Sequence, residues 1–501
     1  MTRLSGRQPP ERERVLRPAC RLCPACKAPM RIRYENHRSL VTLTGSIRLR
    51  LKIRWCETLG CARYHKPYRP EVEGALALPQ HEFGLDIIAL VGALRQREHR
   101  SVPEIHAVLT TRGVAIAERS VTNLLDRYDE LLATRLLERR PLQRLLARQG
   151  RVILALDGVQ PDVGHEVLWV IRDCLSGIIV LARSLLSGRA QDLAGLLREA
   201  VAAVGVPVAG VISDGQTSIR QAVAQVLPGV PHQLCQFHFL REAAHPIFEA
   251  DRHAKKELKK QVRGIRGIVR AVEEREDPEA AIVQGYCAAV RSAITDDGRA
   301  PLSASGLKLK RRLETVAGLW PDVAYAYRFV HAVAHWLGNP HEESAAMVRR
   351  RVNGVLGAMQ RQRNKAGTLA EAFDHFQKVT RSDRPGLFHT YAVPDLPRTN
   401  NDLEQLFGSQ RYHERRATGR KTAAPGAVLR GPVRLLAATA TRVQAPTARD
   451  LGVANREHWR SLRQRLERGR RARTLRTRFR HDPAAYLAAL EQQACQLTLP
   501  S

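Results

Sequence analysis

The chain has 501 residues, 44% of them apolar, and carries 81 Lys and Arg against 49 Asp and Glu, a formal charge of +32. That length suits about three domains, and that apolar fraction a sizeable core. The basic surplus points to a polyanionic partner, DNA or RNA by default, and no long amphipathic segment with an aromatic face argues for a membrane surface instead.

The opening MTRLSGRQPPERERV has no apolar stretch of the kind a secretory signal needs, and no run of about 18 apolar residues suggests a membrane span. Nine cysteines, five of them before residue 62, fit metal binding in a reducing compartment better than a disulfide framework. A cytoplasmic, nucleoid-associated protein is expected.

Residues 15–72 begin with Cys20, Cys23 and Cys26 and end with Cys56 and Cys61. Between them RIRYENH and SIRLRLKIRW alternate with period two and predict β-strands. Two thiolates on each side of a short hairpin are how a zinc ribbon gathers four tetrahedral sulfur ligands. Cys23, Cys26, Cys56 and Cys61 are therefore the expected Zn²⁺ ligands, with Cys20 spare. Such an ion folds its module and needs no catalytic role.

Residues 80–145 predict three helices, FGLDIIALVGALRQ, SVPEIHAVLTTRG and AERSVTNLLDRYDELLATRLLERR. Ser101 as N-cap, Pro103 in the first turn and Glu104 at the third position make a capping box, and Gly113 closes that helix. The second and third helices suit a helix-turn-helix reader of DNA, with Arg119, Ser120, Asn123 and Arg127 on the reading helix. Ordinary helical hairpins share the pattern; the charge and the neighbouring cysteine module favour DNA.

After Gly150 the texture becomes βαβ. RVILALDGV, VLWVIRD and GIIVLARSL predict strands, with Asp173, Ser176 and Gly177 in a hairpin turn. DLAGLLREAVAAVG is a helix, PVAGVISDG a buried strand, TSIRQAVAQVLPG a helix, and HQLCQFHFLREA a strand running into a helix. Three early strands followed by alternating helix and strand is the order of RNase H-like folds, here over 150–240. Residues 241–395, with KKELKKQVRGIRGIVRAVEE near their start, read as an α-helical insertion. The segment 396–425 returns to the core, and 426–501 is a basic helical tail with 11 arginines from Arg456 to Arg480, expected to face nucleic acid.

LALDG and VISDG place Asp157 and Asp214 at the carboxyl ends of buried strands, where an open α/β sheet presents its ligands. Asp-Gly is also turn chemistry, but RTNNDLEQLFGSQRYHERRATGRK adds a third acidic segment on a helix start, followed by a basic one. Phosphodiester cleavage needs charge neutralised on attacking and leaving oxygens, which paired Mg²⁺ ions on carboxylate oxygens provide, while arginines grip phosphates. No Walker loop, GxSxG or HExxH pattern is present, so ATPase, serine hydrolase and zinc protease lack their signatures.

The runs LALDG, VISDGQTSIRQAVAQVLPGVPHQLCQFHFLREA and RTNNDLEQLFGSQRYHERRATGRK resemble the three catalytic segments of DDE transposases of bacterial insertion sequences. The resemblance is to the type with a zinc ribbon, a helix-turn-helix and a Cys-x-x-His after the second aspartate, related to Mutator-like transposases, and covers roughly residues 20–425. It implies an RNase H-like domain that cuts transposon ends and joins the 3′-hydroxyls to target DNA. Asp157, Asp214 and Glu404 become the catalytic triad and the ligands of Mg²⁺ or Mn²⁺. Asp402 is the rival third acid; the two point about 200° apart on a helix, and Glu404 fits the family's asparagine-rich lead-in. Asn400 or Asn401 is expected to cap this helix or touch the substrate backbone. The pair Cys235 and His238 takes a functional or structural-metal role, and Arg411, Arg415, Arg416, Arg420 and Lys421 contact DNA.

The expected fold is therefore multidomain α+β: zinc ribbon, helix-turn-helix, and an RNase H-like α/β core interrupted by a helical insertion. Double-stranded DNA, as terminal inverted repeats and as target, is the expected partner, with a homodimer or larger assembly holding two ends. A catalytically inactive, domesticated DNA-binding regulator and an RNase H-like nuclease without strand transfer are the alternatives.

Overall fold

The structure, a computed structural model, describes residues 10–160, 166–261, 320–420, 425–452 and 454–498. It is mixed α and β and divides into two compact units, Met1–Val208 with Asn401–Ser501, and Ala209–Asn400.

The first unit opens with β1 (Arg12–Leu16), β2 (Arg31–Thr42) and β3 (Gly45–Trp55). β3 lies in the middle, antiparallel to β2 and parallel to β1. The two alternating segments are the strands expected. β1 was not expected: RERVL has one charge-rich run and no alternation to betray it. Leu40, Leu49, Leu51 and Ile53 are fully buried with Leu16 and Ala77, while Glu35 of β2 accepts from Arg50 and Lys52 of β3 across the strands.

Five helices follow: α1 (Glu73–Leu76), α2 (Leu85–Gln96), α3 (Val102–Thr111), α4 (Glu118–Leu136) and α5 (Arg139–Gln149). The capping box is present at α3, where Ser101 N–H donates to the Glu104 carboxylate at 2.6 Å and Glu104 N–H to Ser101 Oγ at 3.4 Å. Gly113 follows with φ +78°. The third predicted helix ends at Leu136, a few residues short of the expected Arg140, and a further helix, α5, follows it. Pro141 has no N–H to give to the carbonyl four residues back and is tolerated only in a first turn, so a new helix must start there.

β4 (Val152–Val159), β5 (Val167–Asp173) and β6 (Ile179–Leu185) form an antiparallel meander. Asp173 is fully buried and fastens its hairpin, accepting from Ile153 N–H at 3.0 Å, Ser176 N–H at 2.9 Å and Ser176 Oγ at 2.6 Å. After α6 (Ala190–Val204), Val152 N–H donates to Pro207 O at 3.0 Å, and the chain then enters β7 (Val208–Ser213).

The second unit begins within β7. β7 pairs in parallel with the short β8 (His232–Leu234), with α7 (Thr217–Val226) between them in sequence. Then come α8 (Gln236–Ala243), α9 (His245–Gln261), α10 (Trp320–Gly338), α11 (Ala345–Arg361) and α12 (Ala370–Asp383). Phe239, Phe373, Phe376, Val330 and Met359 centre their core. The described part of the expected insertion is thus helical, and residues 262–319 lie outside the described residues.

The first unit resumes with α13 (Asn401–Thr418), α14 (Pro425–Val443), α15 (Ala448–Gly452), α16 (Arg456–His481) and α17 (Pro483–Thr498). Residues of α2, α4, α14, α15 and α16 share one core. Its packing needs Gly92, where a Cβ would sit 2.2 Å from the Tyr128 ring; the Tyr128 hydroxyl shares a 2.7 Å hydrogen bond with Thr441 Oγ1. Glu130, 1% exposed, accepts from Arg127 at 2.5 Å, Arg430 at 3.1 Å and Trp459 Nε1 at 3.0 Å. Beside it, burial pushes the Asp129 carboxyl up to about 7 against the opposing pull of Arg434 and Arg430. No described helix is long and apolar enough to cross a membrane.

Two stability measurements follow from these acids. Glu130→Ala leaves two guanidinium groups and an indole N–H without their buried acceptor, and the urea unfolding free energy should fall by about 3–5 kcal/mol; a loss below about 1 kcal/mol would show that the three helices hold without it. Asp129 keeps its proton in the folded protein up to about pH 7, whereas an unfolded aspartate loses it near pH 4. Its contribution is complete below the unfolded value and is lost as pH rises through the folded one. Asp129→Asn should therefore gain stability relative to wild type between about pH 4 and pH 8, and a pH-independent difference refutes the assignment.

Candidate functional site

The cysteines come together as the hairpin requires. Cys23 and Cys26 flank a turn before β2, in which Lys27 adopts φ +63° and donates its N–H to Cys23 O at 2.9 Å. Cys56 follows β3 directly, and a second turn through Gly60, φ +78°, brings back Cys61. All four sulfur atoms lie within 4.8 Å of one another, with Cys23–Cys61 at 3.8 Å and Cys26–Cys56 at 3.5 Å. Metal–sulfur bonds of about 2.3 Å in a tetrahedron place sulfurs roughly 3.8 Å apart, so the set could hold a structural metal such as zinc.

The local field differs among the four. N–H donation from Ala28 and the Thr58 hydroxyl hold Cys26 down at about 6. Cys61 accepts from Arg63 N–H, yet burial and the neighbouring thiols push it up to about 11. Cys20 stands apart, its thiol donating to Leu22 O at 3.1 Å.

The acidic residues are divided between the units. Asp157 and Glu404 belong to the first, Asp214 to the second. Asp157 sits near the carboxyl end of β4, 9% exposed, accepting from Gly158 N–H at 2.7 Å. The glycine after it is needed for packing, since a Cβ there would meet the Trp169 ring of β5 at 2.9 Å. Asp214 directly follows β7, half-buried, and its Oδ1 accepts from Gln216 N–H at 3.0 Å at the start of α7. Gly215 beside it has φ +86°, and Arg220 reaches back to Gly215 O at 2.6 Å. Just before the aspartate, Ser213 Oγ and the half-buried His232 are 2.9 Å apart, and desolvation holds this imidazole down at about 4.

Glu404 lies half-buried in the first turn of α13, a helix that packs on β4. Asp402 is exposed instead and lies 3.7 Å from Arg172 Nη1. The two acids thus have different surroundings, as their angular separation on a helix requires. Ahead of α13, within the second unit, Asn400 is 2% exposed and its N–H donates to Cys235 Sγ at 3.3 Å. Gln236 N–H donates to Arg398 O at 3.0 Å. Cys235 therefore anchors the asparagine-rich lead-in to the start of α8, a link that no spacing in the sequence announces. His238 is half-buried, one turn along α8.

On α4, Arg119 and Asn123 are exposed, while Arg127 is half-buried and paired with Glu130. Arg411, Arg415 and Arg416 are exposed on α13, opposite its buried Leu403, Phe407, His413 and Ala417, and Arg420 is exposed just beyond it. Lys421 lies outside the described residues. Sequence reasoning missed Glu130 and its partners Arg430 and Trp459; buried acid within a basic protein is the signal, but it shows only once three distant helices are packed.

Purified protein should carry about one zinc per chain, measured by elemental analysis. Cys23→Ser and Cys56→Ser should lose the metal and lower the thermal midpoint, while Cys20→Ser keeps both; metal retained by all three variants would remove the site. No known family model matches the chain, and comparison with curated proteins gives no match either.

Proposed function

We propose that the chain is a DDE transposase that cleaves DNA at transposon ends and transfers the freed strand into target DNA. The observation that carries this reading is the position of the acids. Asp157 stands near the carboxyl end of buried β4, Asp214 just past the carboxyl end of β7, and Glu404 on the helix packed against β4. An antiparallel meander and then a helix in the first unit, followed by a pair of parallel strands in the second, is the element order an RNase H-like core would have. The cysteine module and the α3–α4 pair would be the zinc ribbon and helix-turn-helix that recognise terminal repeats.

The donor set is three carboxylates with neither thiolate nor imidazole, the hard-oxygen chemistry that suits Mg²⁺ or Mn²⁺. Bound there, such ions neutralise charge on attacking and leaving oxygens. The chain's own part is to hold its carboxylates on rigid elements: Gly158 N–H fixes one oxygen of Asp157, Gln216 N–H one oxygen of Asp214, and helix packing the position of Glu404. Exposed Arg411, Arg415 and Arg416 supply cations for phosphates along the same helix as Glu404. Water opens the phosphodiester at the element's end, and the released 3′-hydroxyl displaces a bridging oxygen of target DNA in line. Two ends must be handled together, so a homodimer or larger assembly in the bacterial cytoplasm belongs to this reading.

Cleavage of end-containing DNA with Mg²⁺, followed on denaturing gels, tests it. Asp157→Ala, Asp214→Ala and Glu404→Gln should each lose about 100-fold or more of the activity, while Asp402→Asn stays within a few-fold. Equal activity in wild type and Asp214→Ala would sink the proposed site, and a pre-cut 3′-hydroxyl end that is never joined would leave only a nuclease.

A further inference from the structure

Beside the exposed half of α4, the first unit contains a groove of about 1330 Å³, bounded by β2 and β3, by the first turns of α4 and by α16. Six arginines and three glutamates line it. Two of these glutamates are already engaged. Glu73 accepts from Arg38 at 2.8 Å and Arg69 at 2.7 Å. Glu71 accepts from Ala19 N–H at 2.9 Å, Cys20 N–H at 3.1 Å and the Tyr68 hydroxyl at 2.8 Å. Arg127 is drawn aside to Glu130. Glu82 shares the lining with Arg48, Arg460 and Arg463; among the described residues none of these three makes an ion pair, though Glu130 and Glu467 act on Arg463 from further off and its guanidinium lies 5.8 Å from the Trp459 ring.

The field inside the groove is visible in His81, which lines it. Burial, then the charges of Arg127, Arg463 and Arg38, hold its imidazole down at about 4. Arg463 is itself held below its ordinary value by burial and by Arg127, against the opposing pull of Glu130 and Glu467. Arginines that repel one another in a half-enclosed groove form a site that an anion relieves.

We propose that Arg48 of β3 and Arg460 and Arg463 of α16 form a grip for the phosphodiester backbone of double-stranded DNA, in the same groove that presents Ser120 and Asn123 of α4. A duplex is favoured because of this arrangement. Short polar side chains at a helix start suit base edges, and cations on elements to either side suit the backbones that border a groove. The Arg-rich C-terminal helix is then part of the DNA-reading surface rather than a solvated tail. The proposal rests on the reading of DNA as partner but not on any chemistry at the acids.

Fluorescence anisotropy with a labelled duplex carrying the element's end, and with a scrambled duplex, tests the grip in full-length protein without added magnesium. Arg460→Gln with Arg463→Gln should weaken both duplexes alike. It should also flatten the plot of log affinity against log salt by about 0.9 for each phosphate that no longer meets a guanidinium, near 1.8 in all. Asn123→Ala should weaken the end sequence more than the scrambled one. Arg460→Lys with Arg463→Lys keeps the charges and should restore the salt slope even if the glutamine pair unfolds more easily. An unchanged slope in the glutamine pair, no binding by wild type, or tighter binding of single-stranded RNA of equal length would each overturn the proposal. Binding with the expected slopes but no Mg²⁺-dependent cleavage would instead keep the grip and defeat the transposase.

Discussion

Glu130 is a carboxylate taken out of water in a protein with few acids to spare, and the first unit is arranged around satisfying it. Its oxygens receive Arg127 from its own helix, Arg430 from α14 and the Trp459 indole from α16. Burying a charge costs several kcal/mol before any partner is found, and only a full set of donors offsets that. The geometry that satisfies Glu130 therefore also fixes how three helices from distant parts of the sequence meet. It clasps the C-terminal half of α4 and leaves the N-terminal half, with Arg119 and Asn123, exposed. Asp129 sharpens the point: one residue away, lacking such close donors, it is driven toward its neutral form.

Local signals in the sequence are legible where they are periodic. Alternation in SIRLRLKIRW shows as β3 because one face must be buried and the other wetted. The capping box at Ser101 shows as α3 because it satisfies N–H groups that no helix can satisfy internally. Asp173, Ser176 and Gly177 form their turn because a buried carboxylate can collect the loop's free donors. The four cysteines are legible for the same reason: ligand spacing is local, and the hairpin between the pairs closes the distance.

Hidden from the sequence is whatever depends on packing between segments far apart in the chain. Nothing in WRSLRQRLERGRR distinguishes a solvated arginine helix from one whose Trp459 is buried against Glu130. Strand β1 has no pattern because its pairing with β3 supplies what its own sequence lacks. Helix angle alone separates Asp402 from Glu404, and the structure adds their surroundings: one acid is exposed beside Arg172, the other half-buried on the helix that packs on β4.

The acidic segments raise a constraint of chain return. Between Asp214 and Glu404 lies most of the second unit, and a long excursion is thermodynamically cheap only if its closure is fixed by something other than chance, since each doubling of loop length costs about 0.6 kcal/mol. Backbone donations do that fixing at each end. On the way out, Val152 N–H binds Pro207 O just ahead of β7. On the way back, Asn400 N–H binds Cys235 Sγ and Gln236 N–H binds Arg398 O, so the lead-in to α13 is held where β8 ends. β8 in turn pairs with the strand that Asp214 follows. Cys235 gains from this a reason to be a buried cysteine, independent of any metal: its sulfur accepts a backbone donor that would otherwise be buried without a partner, four residues before Glu404. The helical excursion can then vary in length or sequence, because Arg398 and Asn400 are secured at its close rather than along its course.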